Sequence, residues 1–199
     1  MVVLARVVRL PFYEIGLSTP LSLRCLPLLV LALSKAPALR SHPALPIDTR
    51  SAQLAAMKAA SPSDTLLRLH PTFLPLHVNC DQSPPALNLS SERLERHGVY
   101  LLDCGQEVWL WIGAQAHPEL VSLLLGTQSS PSSGQCLLPT LNNPHSQRLH
   151  SILTQSGKQA GRANPTLCWV VREDQTNDPL REAFLGLLIE DRIGEQPSY

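Results

Sequence analysis

The chain has 199 residues, enough for one large domain or for an ordinary domain with part of another. Its 16 basic and 16 acidic side chains cancel, so it lacks the basic excess that phosphate-backbone binding needs, which removes nucleic acid as a first choice of partner. Hydrophobic residues make up 44%, enough for a core, while 18 prolines, crowded between Pro20 and Pro85, cut the N-terminal half into short pieces.

Residues 1–19 show no clear period and no motif. Arg6, Arg9 and Arg24 precede an apolar run at 26–33, and Ala36, Pro37 and Ala38 follow it, which imitates a signal peptide. Pro27 interrupts that run, Pro37 falls inside the cleavage site, and the run is too short to span a bilayer. Residues 21–36 therefore read as a helix that is apolar nearly all round, hence buried, ending before Pro37. Residues 48–60 are rich in helix formers, with Asp48 as a cap. Ser61, Pro62 and Asp64 then supply a cap, a first-position proline and a first-turn carboxylate for a short helix that Pro71 stops. Residues 78–89 form a polar, proline-containing linker and the best domain boundary, followed by a brief helix at 90–97 that Gly98 terminates.

The sheet begins next. Runs at 99–102 and 108–112, rich in β-branched and aromatic residues, flank a turn containing Gly105 and predict a hairpin. Neither run alternates apolar with polar, so both faces of the sheet should be covered. Trp109 and Trp111, two apart, share a face. They read as anchors for a packed helix; a base-stacking platform comes with basic residues, and this hairpin has none. A short helix at 117–125 ends at Gly126, and a serine-rich loop follows at 127–135. Leu149, Ile152 and Leu153 form one stripe of an amphipathic helix at 144–155. Residues 166–171 read as a third, fully buried strand, and 178–189 as a helix with Pro179 at its start and Phe184 and Leu188 on its apolar face. From Gly98 the pattern is β-β-α-α-β-α, an α+β arrangement with helices on both faces of a sheet.

Catalytic layouts do not emerge. There is no GxSxG turn, no phosphate-cradling glycine loop and no HExxH pair, so enzymatic activity is not expected. Cys25, Cys80, Cys104, Cys136 and Cys168 form no CxxC pair and read as reduced thiols. Cys104 falls in a turn and Cys168 in a buried strand, neither of them an activated thiol. His77 and Cys80 have HxxC spacing without a second pair, and His145 and His150 are five apart, off the one-face spacing, so no metal site is expected. Glu190 and Asp191 close the last helix, where adjacent positions diverge, and a helix-end ion pair or an interdomain contact is the expectation there.

The hairpin at 98–113, carrying Asp103, Gly105, Trp109, Trp111 and Gly113, resembles the opening of a gelsolin-like domain. The blocks at 138–144 (with Pro139), 170–174 and 184–192 (ending Glu190, Asp191, Arg192) resemble the C-terminal end of the cargo-adaptor subunit of the COPII inner coat. Upstream, 26–33 and 66–77 resemble that family's helical domain where it meets the gelsolin-like one. The resemblance implies an unassigned segment at 1–19, a partial helical domain at 20–77, a linker and short helix at 78–97, and a gelsolin-like domain at 98–199 with its last helix cut short.

In function it implies a non-catalytic component of ER-to-Golgi vesicle transport, in a partial or a non-functional form, cytoplasmic and peripheral at ER exit sites and COPII vesicles, touching the membrane only indirectly. Coat subunits, the GTPase-activating partner among them, are the implied partners. The family's zinc finger, trunk and β-sandwich precede the helical domain and have no counterpart here, so cargo binding in the family's manner does not carry over. No cofactor is implied: Gly98 and Val99 stand where calcium-binding gelsolin repeats place an aspartate, which a hard cation needs. An actin-regulating gelsolin-like module and a small secreted protein with a signal peptide are the alternative readings.

Overall fold

The computed structural model describes residues 25–36, 39, 46–78, 84–105, 107–127, 131–160 and 167–191. The segment 1–19, the first residues of the expected helix at 21–36, Cys80 and Arg192 lie outside them.

Three short helices come first. Helix α1 (Leu26–Lys35) starts with Pro27 in its first turn, where the missing N–H costs nothing. It buries Leu28, Ala32 and Lys35, but Leu26 and Val30 are 50% and 54% exposed, which corrects the expected all-round burial. Helix α2 (Ile47–Ala59) has no buried residue among its described side chains. Helix α3 (Pro62–Leu69) opens as expected, the Ser61 hydroxyl accepting from the Asp64 N–H at 3.1 Å.

Five strands make one sheet in the order β1-β2-β3-β5-β4. The hairpin β2 (Val99–Asp103) and β3 (Val108–Ile112) is antiparallel, with Leu101 opposite Leu110. Strand β5 (Leu167–Arg172) lies parallel to β3, pairing Leu110 with Val170. Two edge strands were not expected. β1 (Thr72–Pro75) pairs antiparallel with β2, and β4 (Gly134–Leu137), which begins at the end of the expected serine-rich loop, pairs antiparallel with β5. Each has four residues, and β1 ends in a proline, which an edge strand tolerates.

Every residue of β2 and β3 is buried, as their unbroken apolar runs require. Val99, Leu101 and Leu110 face helices α4 (Pro118–Leu125) and α5 (Pro144–Ala160), meeting Val121, Leu124, Leu149 and Leu153. Tyr100, Leu102, Trp109 and Trp111 face the other way, toward Phe184 of α6 (Pro179–Gly186) and Leu28 and Ala32 of α1. The mixed sheet with helices on both faces is thus the expected α+β class. β5 is less enclosed than expected, since Leu167 is exposed and Trp169 only half-buried. Helix α6 stops at Gly186, three residues short of its expected end, and turns occupy 187–191.

Candidate functional site

The marked residues of the hairpin occupy its two ends and its middle. Asp103, the last residue of β2, is 2% exposed; its Oδ1 accepts from the Gly105 N–H at 3.0 Å, and its Oδ2 accepts from the Ser156 hydroxyl of α5. Gly105 has φ +87°, a conformation that favours glycine there. At mid-strand, Trp109 and Trp111 bracket Phe184, with ring centroids 6.5 and 5.0 Å from it, and Trp109 stacks on Trp169 at 5.6 Å. The shared tryptophan face therefore holds a helix, as its spacing implied. Both indole Nε1 atoms are buried without a hydrogen-bond partner among the described residues.

Gly113 closes the other end. Its N–H donates to the Gly98 carbonyl at 2.9 Å, and an added Cβ would collide with the Arg96 carbonyl. Pro139 is remote from all of these, on the α5 side, where its carbonyl accepts from the Ser146 hydroxyl at 3.3 Å and lies 3.0 Å from His150 Nε2.

Glu190 and Asp191 are brought together with a segment a hundred residues earlier. They leave from a turn, so the divergence expected on a helix does not apply, and both carboxylates reach the same short stretch. Glu190 Oε1 accepts from the Leu89 N–H at 2.9 Å, and the Glu190 N–H donates back to the Leu89 carbonyl at 3.0 Å. Asp191 accepts from the Ser90 hydroxyl at 2.7 Å and the Ser91 N–H at 2.8 Å. From α1, the Lys35 ammonium donates to the Ile189 and Asp191 carbonyls, both at 2.6 Å. The final turn thus clamps α1 and the 89–91 segment at once. Burial raises Glu190 above the usual carboxylate range, the Leu89 N–H partly offsetting it. Burial also holds Lys35 below an ordinary ammonium, against the pull of the Asp191 charge. A cavity of about 580 Å³ opens beside the clamp, with Trp111, Glu173, Arg181 and Asp191 in its lining.

Two further groupings join residues far apart in sequence. His77, just past β1, lies beside Glu95 and His97, in the turn before β2: Glu95 Oε2 is 2.9 Å from His97 Nε2 and 3.9 Å from His77 Nε2. One ligand atom from each falls within 4.8 Å of the others. On the far edge of the sheet, Cys136 of β4 sits directly opposite Cys168 of β5. A hydrogen bond from the Cys168 thiol lowers Cys136 to about 7, against the effect of burial. Cys25, Cys104, Cys136 and Cys168 are all reduced. Local spacing could reveal neither grouping, since each depends on a strand that the sequence pattern did not announce.

A helix-covered mixed sheet joined to short helices, its buried hairpin stapled at both ends, defines a gelsolin-like α+β module with a helical lead-in. Residues 81–153 match the gelsolin repeat family, and residues 14–67 match the Sec23/Sec24 helical domain, each span starting ahead of the boundary read from the sequence. The protein transport protein SEC24 of Yarrowia lipolytica is 33% identical, over 90% of this chain and 21% of the relative. That of Coccidioides immitis is 34% identical over the same shares, 90% and 21%. The crystal structure of the human COPII-coat protein Sec24c superposes with a TM-score of 0.75 at 26% identity, covering 90% of this chain and 24% of that one. By sequence and by fold, the chain is a homologue of the Sec24 proteins. It spans about a fifth of the length of the curated relatives it matches. Among the described residues no helix is long and apolar enough to cross a membrane.

Proposed function

We propose that this chain acts through its surfaces, without catalysis, as a partial form of a COPII cargo adaptor in ER-to-Golgi protein transport. The observation that carries the reading is the agreement of sequence and fold with Sec24 proteins over 90% of the chain. On this reading its partners are subunits of the inner coat, its place is the cytoplasmic face of ER exit sites, and its contact with membrane is indirect. The marked hairpin residues and Glu190–Asp191 serve the framework: they staple turns, seat α6 and tie the last turn to α1. β1 is hydrogen-bonded into the sheet and α1 packs on its tryptophan face, so on this reading the residues ahead of Gly98 belong to the same working surface. Co-sedimentation with coat assembled on liposomes tests the proposal. Recruitment of the full chain is expected; none, under conditions that recruit the intact adaptor, overturns it.

The match to the gelsolin repeat favours a second reading, an actin-regulating module. Calcium-dependent severing or capping of filaments would support it. Gly98 and Val99 oppose it, offering no side-chain oxygen where the calcium aspartate belongs.

A further inference from the structure

We propose that His77, Glu95 and His97 form a binding site for a divalent cation of the zinc class. Two imidazole nitrogens and one carboxylate oxygen suit zinc and its transition-metal neighbours, whereas calcium and magnesium prefer all-oxygen sites. Donors at zinc bond lengths of about 2.0–2.1 Å sit roughly 3.3–3.5 Å apart on a tetrahedron. Here Glu95 Oε2 is already 2.9 and 3.9 Å from the two Nε2 atoms, and all three donors lie within 4.8 Å of one another.

The backbone explains the convergence. The Gly98 N–H donates to the Glu95 carbonyl at 2.9 Å, closing a turn that sets Glu95 and His97 beside the exit of β1. His77 is oriented from behind by Val99, whose carbonyl lies 3.2 Å and whose N–H lies 3.3 Å from its Nδ1. In the tautomer with hydrogen on Nδ1, the ring donates to that carbonyl and turns its Nε2 lone pair toward Glu95. A backbone carbonyl behind the non-ligating nitrogen is the usual support of a metal-bound histidine. His77 is largely enclosed and acts as the fixed donor. Glu95 and His97 side chains are 57% and 67% exposed, so their rotamers can close the last fraction of an ångström around an ion. The fourth position faces solvent and takes water. An ion bound there adds a tie between the end of β1 and the turn before β2, beside the Leu76 N–H bond to the Val99 carbonyl.

Metal-free full-length chain, titrated with zinc chloride by calorimetry and with cobalt(II) chloride by absorption, tests the site. One ion per chain is expected, with tetrahedral cobalt bands in the visible and no thiolate-to-cobalt charge-transfer band. Glu95→Gln and His97→Ala, both at exposed positions, should each weaken binding at least ~10-fold and leave the circular dichroism spectrum unchanged, while His145→Ala binds as the parent does. Zinc in large excess over its dissociation constant should raise the Tm of the parent and not that of His97→Ala. Absence of saturable binding overturns the proposal. So does undiminished binding by the Glu95→Gln/His97→Ala double variant, or a thiolate band showing that cysteines hold the ion instead.

Discussion

Both carboxylate oxygens of Asp191 hold the 90–91 segment, so Asp191→Ala strips a partner from the Ser90 hydroxyl and the Ser91 N–H together. Hydrogen bonds to a charged group are worth about 1.5–3 kcal/mol each, but Ser91 is exposed and can turn to water, so a loss of about 1–2 kcal/mol is expected in urea unfolding. An unchanged midpoint would mean that water replaces the carboxylate fully. Gly113 is constrained by approach and not by φ: a Cβ there falls 2.6 Å from the Arg96 carbonyl carbon and 2.9 Å from the Glu95 oxygen. Those neighbours are backbone and cannot rotate away, so Gly113→Ala should cost about 1–3 kcal/mol by the same assay. Cys136 makes a prediction of opposite character, one about pH. Its folded value of about 7 lies below the 9.0 of an ordinary thiol, so the thiolate contributes stability above the unfolded value and loses it as pH falls through about 7. Alkylation by iodoacetamide should rise with a midpoint near that pH. Cys168→Ala removes the donor and should move the midpoint upward; a midpoint unmoved by the substitution would sink the assignment.

At the scale of elements, α6 is held to the sheet chiefly through Phe184, which is fully buried between Trp109 and Trp111. Phe184→Ala should destabilise the chain by about 3–5 kcal/mol and shift tryptophan fluorescence to the red, because both indoles lose their cover. Fluorescence that does not move would mean that α1 or α6 collapses onto the indoles. The face was legible in the sequence, since two tryptophans two apart share it and imply a packed helix, but that α6 and Phe184 fill it emerged only from the fold. The edge strands were not. Four residues of β1 carry too few alternations to outweigh Pro71 and Pro75, and β4 emerges from a run of serines. Their pairing comes from the neighbouring strand, not from their own composition. The histidine–glutamate cluster was hidden for the same reason, since His77 reaches Glu95 only because β1 runs alongside β2. The acidic clamp was half visible: Glu190 and Asp191 stood out as a contact, but reading them on a helix concealed that 187–191 is turn. Helix α1 misled through its composition, because an apolar run records what a helix can bury and not how many layers surround it.

For the whole molecule, the physical boundary does not coincide with the polar linker. β1 is hydrogen-bonded along its length to β2, Leu76 donates to the Val99 carbonyl at 2.8 Å, and Lys35 of α1 is anchored to the final turn, so early and late parts of the chain share one hydrogen-bonded frame. Helix α2 stands apart from that frame. Ile47 is 77% exposed, no described side chain of the helix is buried, and a 13-residue helix is marginal without tertiary packing. Hydrogen exchange should therefore divide the chain by burial and not by position. The amides of β2, β3 and β5 that pair within the sheet should open only with global unfolding, and the paired amides of β1 should be protected within about tenfold of them. Those in the middle of α2 should exchange at least ~100-fold faster, as expected of a unit that opens locally. Fast exchange in β1 would restore Gly98 as the edge of the stable unit. Protection in α2 equal to that of the sheet would show that this helix has a packing partner among residues the described structure does not place.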